Sequence, residues 1–245
     1  MTEAEWLACD EPWTMAPHVD LAGARKARLL AVACCRRVWT LLDKDSRSGV
    51  EVAELYADNA AHARELEKAH RTARQRANNF QRLFGLRLRQ DGSQSADSEA
   101  LCRDCQRASL AAYTLQRDGG LVSALAQSVQ LNLRLRLGPQ AYLGRPSQDE
   151  VQKLTGPDEA ELANLVRCVL GNPFRPAAFA PEWRTDTVRA LAARMYESRD
   201  FSAMPILADA LQDAGCDSDD ILNHCRGLGP HVRGCWVVDL VLGKG

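Results

Sequence analysis

The stretch AGARKARLLAVACCRRVWTLLD, running from Ala22 to Asp43, decides the fold. Leu29, Leu30, Val32, Ala33, Val38, Leu41 and Leu42 recur mostly three or four residues apart, with Arg25, Lys26, Arg28, Arg36 and Arg37 largely between them. That is the period of an α-helix. Its apolar sector is broad, so the helix belongs at the centre of the molecule with neighbours on several sides. The same period returns along most of the chain. The expected fold is all-α, an irregular multi-helix bundle of about nine or ten amphipathic helices.

Upstream of this helix, Thr2-Glu3-Ala4-Glu5 has the spacing of a capping box for a short first helix through Trp6 and Leu7. Downstream, Val50, Val52, Ala53, Leu55 and Tyr56 predict a helix over about Ser46–Ala57. A longer one is expected from about Ala60 to Leu86, rich in Ala, Arg, Glu and Leu and free of proline. The polar segment Gln90–Asp97 reads as a loop that divides the chain into 1–89 and 98–245, two closely joined halves or one continuous domain. Beyond it, helices are predicted over Ser98–Arg117, Leu121–Leu137, a short stretch after Ser147, Glu159–Leu170, Thr185 to Tyr196, Phe201–Ala214, a short segment to Cys225, and a last helix starting near His231. Gly171-Asn172-Pro173-Phe174-Arg175-Pro176 is a corner, since two prolines fix the backbone around an aromatic ring.

Composition narrows the function. Hydrophobic residues make up 46% and charged residues 26%, which is globular usage. The longest apolar runs fall far short of the ~20 residues that cross a bilayer, so no membrane partner is expected. The acidic start Met1-Thr2-Glu3-Ala4-Glu5-Trp6 lacks a basic region followed by an apolar core, which points to the cytoplasm. Nine cysteines cannot all pair with one another, and in a reducing compartment they act as small hydrophobes. Cys102-Arg103-Asp104-Cys105 has redox or half-metal-site spacing, but no strand precedes it and no second pair follows; two cysteines on one helix face is the simpler account.

The net charge of −1 hides an uneven distribution. From Arg64 to Arg89 there are eight Lys or Arg against two Glu, whereas Glu197 to Asp220 carries seven acids and one base. Arg64, Lys68, Arg71 and Arg74 recur as one basic stripe. Such a stripe is either a solvated helix face or a salt-sensitive nucleic-acid surface, without a helix-turn-helix or zinc-finger pattern to read bases.

Specific chemistry concentrates after Gly215. His224, Cys225, His231 and Cys235 gather around Gly227-Leu228-Gly229-Pro230, and imidazole with thiolate is the donor set of Zn²⁺. Cys216 is separated from Cys225 by a helix length of roughly 13 Å and does not join them. A catalytic alternative takes Cys225 or Cys235 as nucleophile, His224 or His231 as base and Asp239 as orienting acid. No nucleophile turn, phosphate loop or acid pair accompanies it. Packing of polar groups between helices is the third reading of the same residues.

Four segments carry a resemblance. Thr2-Glu3-Ala4-Glu5-Trp6-Leu7-Ala8-Cys9, Ala33-Cys34-Cys35-Arg36-Arg37-Val38-Trp39, the Gly171–Pro176 corner and Gly229-Pro230-His231-Val232-Arg233-Gly234-Cys235-Trp236-Val237-Val238-Asp239 resemble a recurrent family of uncharacterised bacterial proteins. The resemblance implies a bacterial cytosolic setting and no activity. The residues themselves favour a non-enzymatic protein–protein interaction or scaffold module, whose partner is another protein. Its alternatives are a structural zinc module and a nucleic-acid-binding protein.

Overall fold

The computed structural model describes residues 1–15, 24–91 and 148–244. The described chain is all-α, with ten α-helices, two short 3₁₀ turns at Trp39–Leu41 and Pro181–Trp183, and no strand among the described residues. The predicted Gln90–Asp97 loop, the helices Ser98–Arg117 and Leu121–Leu137 and the Cys102/Cys105 pair lie wholly or mainly outside them. The chain forms two compact units. One is built from Met1–Gly23 and Ala163–Gly245, the other from Ala24–Leu162.

The Ala24–Leu162 unit is built on α3 (Ala24–Arg37), the helix of the deciding stretch. Every residue from Ala27 to Cys35 is buried, including Arg28, whose guanidinium lies 5.1 Å from the centre of the Tyr56 ring. Helix α4 (Lys44–Ala57) starts at Asp43, whose carboxylate accepts from Asp45 N at 3.0 Å and Ser46 N at 3.1 Å. It stops where Asn59 takes φ +58°, a left-handed conformation that Asn tolerates. Helix α5 (Ala63–Asp91) follows and runs on through Asn78-Asn79 and Gly85. Ala31, Val32, Cys35, Val38 and Leu42 pack with Val50 and Ala53 of α4 and Leu66 and Ala73 of α5. Ion pairs reinforce this core: Arg25–Asp58 at 3.1 Å, Arg36–Glu54 at 2.8 Å, Arg37–Asp158 at 3.3 Å and Arg76–Asp43 at 3.5 Å.

Helix α6 (Gln148–Leu170) is continuous, where the sequence predicts a break at Gly156-Pro157 and a new start. Pro157 costs the helix one hydrogen bond, yet the turns on either side propagate across it. Its last eight residues belong to the other unit.

In that unit, α1 (Glu3–Ala8) carries the predicted capping box: Glu5 N donates to Thr2 Oγ1 and Thr2 N to Glu5 Oε2. Trp6 is buried, and Arg167 fastens the helix by donating to the carbonyls of Trp6 at 2.9 Å and Cys9 at 2.7 Å. After the four-residue α2 (Pro12–Met15) come the end of α6, then α7 (Asp186–Ser198), α8 (Met204–Asp213), α9 (Asp219–Arg226) and α10 (Trp236–Leu242). Thr185 caps α7, its hydroxyl accepting from Val188 N at 3.3 Å. The core joins Val188, Ala192 and Met195 of α7 with Leu207 and Leu211 of α8, Ile221 and Leu222 of α9 and Val237 and Val241 of α10. Helix α10 begins five residues later than predicted. Gly234 takes φ +90°, so 231–234 form a non-helical turn and Cys235 becomes the residue before the first helical turn.

Candidate metal centre

Two elements present histidines. His224 lies in the last turn of α9, and His231 lies beyond Gly227-Leu228-Gly229-Pro230, in the turn that leads to α10. Both are half-buried and their rings meet edge to face at 4.9 Å between centroids. Cys235 follows from the turn at Gly234 and is fully buried. The fourth group is Cys168, buried in the last turn of α6. One donor atom from each of Cys168, His224, His231 and Cys235 lies within 4.8 Å of all the others.

Two edges of this cluster lie close to those of a four-coordinate ion, and the widest donor separations, up to 4.8 Å, would have to close by about 1 Å around one. His224 Nε2 is 3.2 Å from Cys235 Sγ, and His231 Nδ1 is 3.9 Å from Cys168 Sγ. Zn–S bonds of about 2.3 Å and Zn–N bonds of about 2.0–2.1 Å give tetrahedral edges of about 3.3–3.8 Å. His231 Nε2 donates to Gly227 O at 3.4 Å, which leaves the Nδ1 lone pair facing the cluster. Burial alone would push the Cys235 thiol up, but hydrogen bonds with Cys168, His224 and His231 and the His224 charge bring it well below the ordinary thiol range.

Of His224, Cys225, His231 and Cys235, which the sequence groups as candidate ligands, the structure brings His224, His231 and Cys235 together, with Cys168 beside them and Cys225 apart. Cys225 is fully buried in the apolar core beside Ile221 and Leu222, and burial pushes its thiol far up, keeping it neutral. Adjacent residues on a helix point about 100° apart, so His224 and Cys225 face different surroundings. Nor do His231 and Cys235 share a helix face, because 231–234 are not helical. The row His231–Cys235–Asp239 of the catalytic alternative therefore does not form, and Asp239 is buried on α10. Cys168 escaped the sequence reading because Arg167-Cys168-Val169 has the look of any packed thiol; its one signal is proximity to the Gly171 corner.

A cavity of about 260 Å³ adjoins His224, lined also by Trp6, Leu170, Gly171, Arg175 and Trp236. Glu3, Asn172, Arg175 and Asp220 at its rim pair with one another, whereas the buried Trp6 Nε1 has no hydrogen-bond partner among the described residues. Glu3 accepts from Asn172 Nδ2 at 2.7 Å and Arg175 Nη2 at 2.6 Å, and Arg175 also reaches Asp220 at 3.5 Å. Gly171 is required where it stands, with φ +73° and a would-be Cβ 3.2 Å from the Trp236 ring. Elsewhere, Arg64, Lys68, Arg71 and Arg74 are all exposed on α5. No helix among the described residues is long and apolar enough to cross a membrane. Compared with known proteins, the chain matches no family model, no curated protein and no solved structure.

Proposed function

We propose that this is a non-enzymatic helical module whose Met1–Gly23/Ala163–Gly245 unit is locked by a structural Zn²⁺ ion held by Cys168, His224, His231 and Cys235. The observation that carries the reading is the convergence of two thiols and two imidazoles, from α6, α9 and the turn before α10, within 4.8 Å. Four protein donors complete a tetrahedral shell, and a full shell leaves no position for a reacting water, so the ion's part is to cross-link. The work of the module is then binding another protein. Leu228 favours this: it is fully exposed in the span between the two histidine ligands, where the ion would hold it outward. A reducing cytosol, the setting implied by the bacterial resemblance, suits seven described cysteines that are all free thiols.

Elemental analysis of protein purified without chelator tests the proposal. About one zinc per chain is expected, with Co²⁺ substitution giving the visible bands of a tetrahedral thiolate site. Metal content near zero, both as purified and after refolding with added Zn²⁺, would remove it.

A further inference from the structure

In the Ala24–Leu162 unit the arginines of α3 and the flank of α5 are placed against carboxylates. Arg25 meets Asp58, Arg36 meets Glu54, Arg37 meets Asp158 and Glu161, and Arg76 meets Asp43 and Asp45. The outer face of α5 breaks this pattern. Arg64, Lys68, Arg71, Arg74 and Arg82 are all exposed, and none has an ion pair among the described residues. At 3.6 residues per turn, Arg64, Lys68, Arg71 and Arg82 fall within about 40° of one line, and Arg74 borders it. Exposed Gln75 and Asn78 lie on the same line and add hydrogen-bonding amides. The opposite side of the helix carries buried Leu66, Ala73 and Ala77, and Leu66 and Ala73 belong to the core shared with α4, so the cationic face is held outward by packing. One acid, exposed Glu67, borders the row. From Arg64 to Arg82 the row is about 27 Å long at 1.5 Å per residue.

We infer that this row is a docking surface for the phosphate backbone of duplex nucleic acid, engaged without regard to base sequence. A straight line of cations about 27 Å long matches a linear polyanion, which offers one charge per about 1.7 Å of duplex axis. Guanidinium suits phosphate, since its planar fork donates two parallel hydrogen bonds. An anionic membrane fits less well. Every exposed residue between Arg64 and Asn79 is polar, and the exposed Leu83 and Leu86 come only at and beyond the end of the row, whereas an interfacial helix must sink an apolar face along its length into lipid. No group on this face is placed to read base edges, so the contact is electrostatic. The inference stands apart from the metal site, whose ligands all lie in the other unit.

The test uses the full chain and fluorescence anisotropy of a labelled 20-base-pair DNA duplex, in parallel with an RNA duplex and phosphatidylserine-containing vesicles. Five phosphate contacts predict a slope of log K against log salt of about −4.5, so each doubling of salt weakens DNA binding about 20-fold. Micromolar affinity is expected at about 50 mM salt. The variant R64Q/K68Q/R71Q/R74Q/R82Q should lose binding while keeping its helical circular dichroism. R64K/R71K/R74K/R82K should keep the slope, and Glu67→Gln should bind several-fold tighter, a gain that misfolding cannot imitate. Binding of the RNA duplex with a similar slope supports the shared phosphate chemistry. No binding at low salt, a slope shallower than about −2, tighter binding to vesicles than to duplex, or a Glu67→Gln variant no tighter than the parent would each overturn the inference.

Discussion

Replacing Cys168 by Ser separates a metal ligand from a packed thiol. The hydroxyl keeps the size of the group but is a poor zinc ligand, so three of four donors remain. An ion bound at a free concentration a thousandfold above its dissociation constant stabilises the folded form by about 4 kcal/mol. The unit that holds the site has about 100 residues, and unfolding entropy of about 2.1 cal/mol/K per residue turns that loss into a fall of about 20 °C in Tm. Cys225→Ser is the matched control. It buries a hydroxyl among Ile221 and Leu222 at a cost of about 1–3 kcal/mol, at a position outside the four-donor set. The assay is thermal unfolding by circular dichroism, with and without a chelator, alongside metal content. The parent and Cys225→Ser should both lose about 20 °C on chelation, and Cys168→Ser should lose nothing further because it starts without the ion. A parent Tm indifferent to chelator, or a Cys168→Ser variant holding a full equivalent of zinc, would refute the reasoning.

Three further outcomes follow from the packing. Gly171→Ala should cost about 2 kcal/mol by chemical denaturation, since φ +73° penalises any side chain and the new Cβ must push the Trp236 ring, whereas Gly215→Ala, at φ +89° with open space around it, should cost about half as much. Asp43→Ala should cost about 1 kcal/mol, because it removes the cap of α4 and a partner of Arg76 together; Asp43→Asn should recover most of it as a neutral cap. The Cys34 thiol is pushed up to about 12, by burial first and Cys35 second, against an ordinary 9.0. The folded chain therefore keeps a proton that the unfolded chain releases. Its contribution is complete below pH 9 and drains away as pH rises towards 12, by about 4 kcal/mol in all, and denaturant midpoints taken up this range should fall less steeply in Cys34→Ala.

Local rules carried most of the fold and part of the centre. Periodicity found the longer helices of the described chain because each buries one face, but not the four-residue α2, and the Thr2/Glu5 cap was visible because capping needs particular side chains at fixed offsets. Pro157 misled because a proline inside a helix weakens it without always ending it. His224, His231 and Cys235 stood out by crowding around one glycine-rich turn. Cys168 did not, since its nearness to them depends on how α6 packs against α9 and α10, which no local spacing encodes. Cys225 was drawn in by being next to His224 in sequence, and the 100° step of a helix is the reason such neighbours part. The start of α10 was misplaced because the glycine–proline turn at 227–230 looks like a helix start, while the conformation that delays the helix is set at Gly234, in the left-handed region.

The tie between Arg167 and the carbonyls of Trp6 and Cys9 has a consequence during synthesis. Residues 1–15 leave the ribosome before their docking site on 163–245, which is translated after the whole of the Ala24–Leu162 unit. At ordinary elongation rates that delay is on the order of ten seconds. Through this interval the carbonyls of Trp6 and Cys9 lack their Arg167 partner, while α3, α4 and α5, which share one core, are all translated. Vectorial translation thus imposes an order of assembly in which the interrupted unit closes last, and the ring of Trp6 marks the moment of closure.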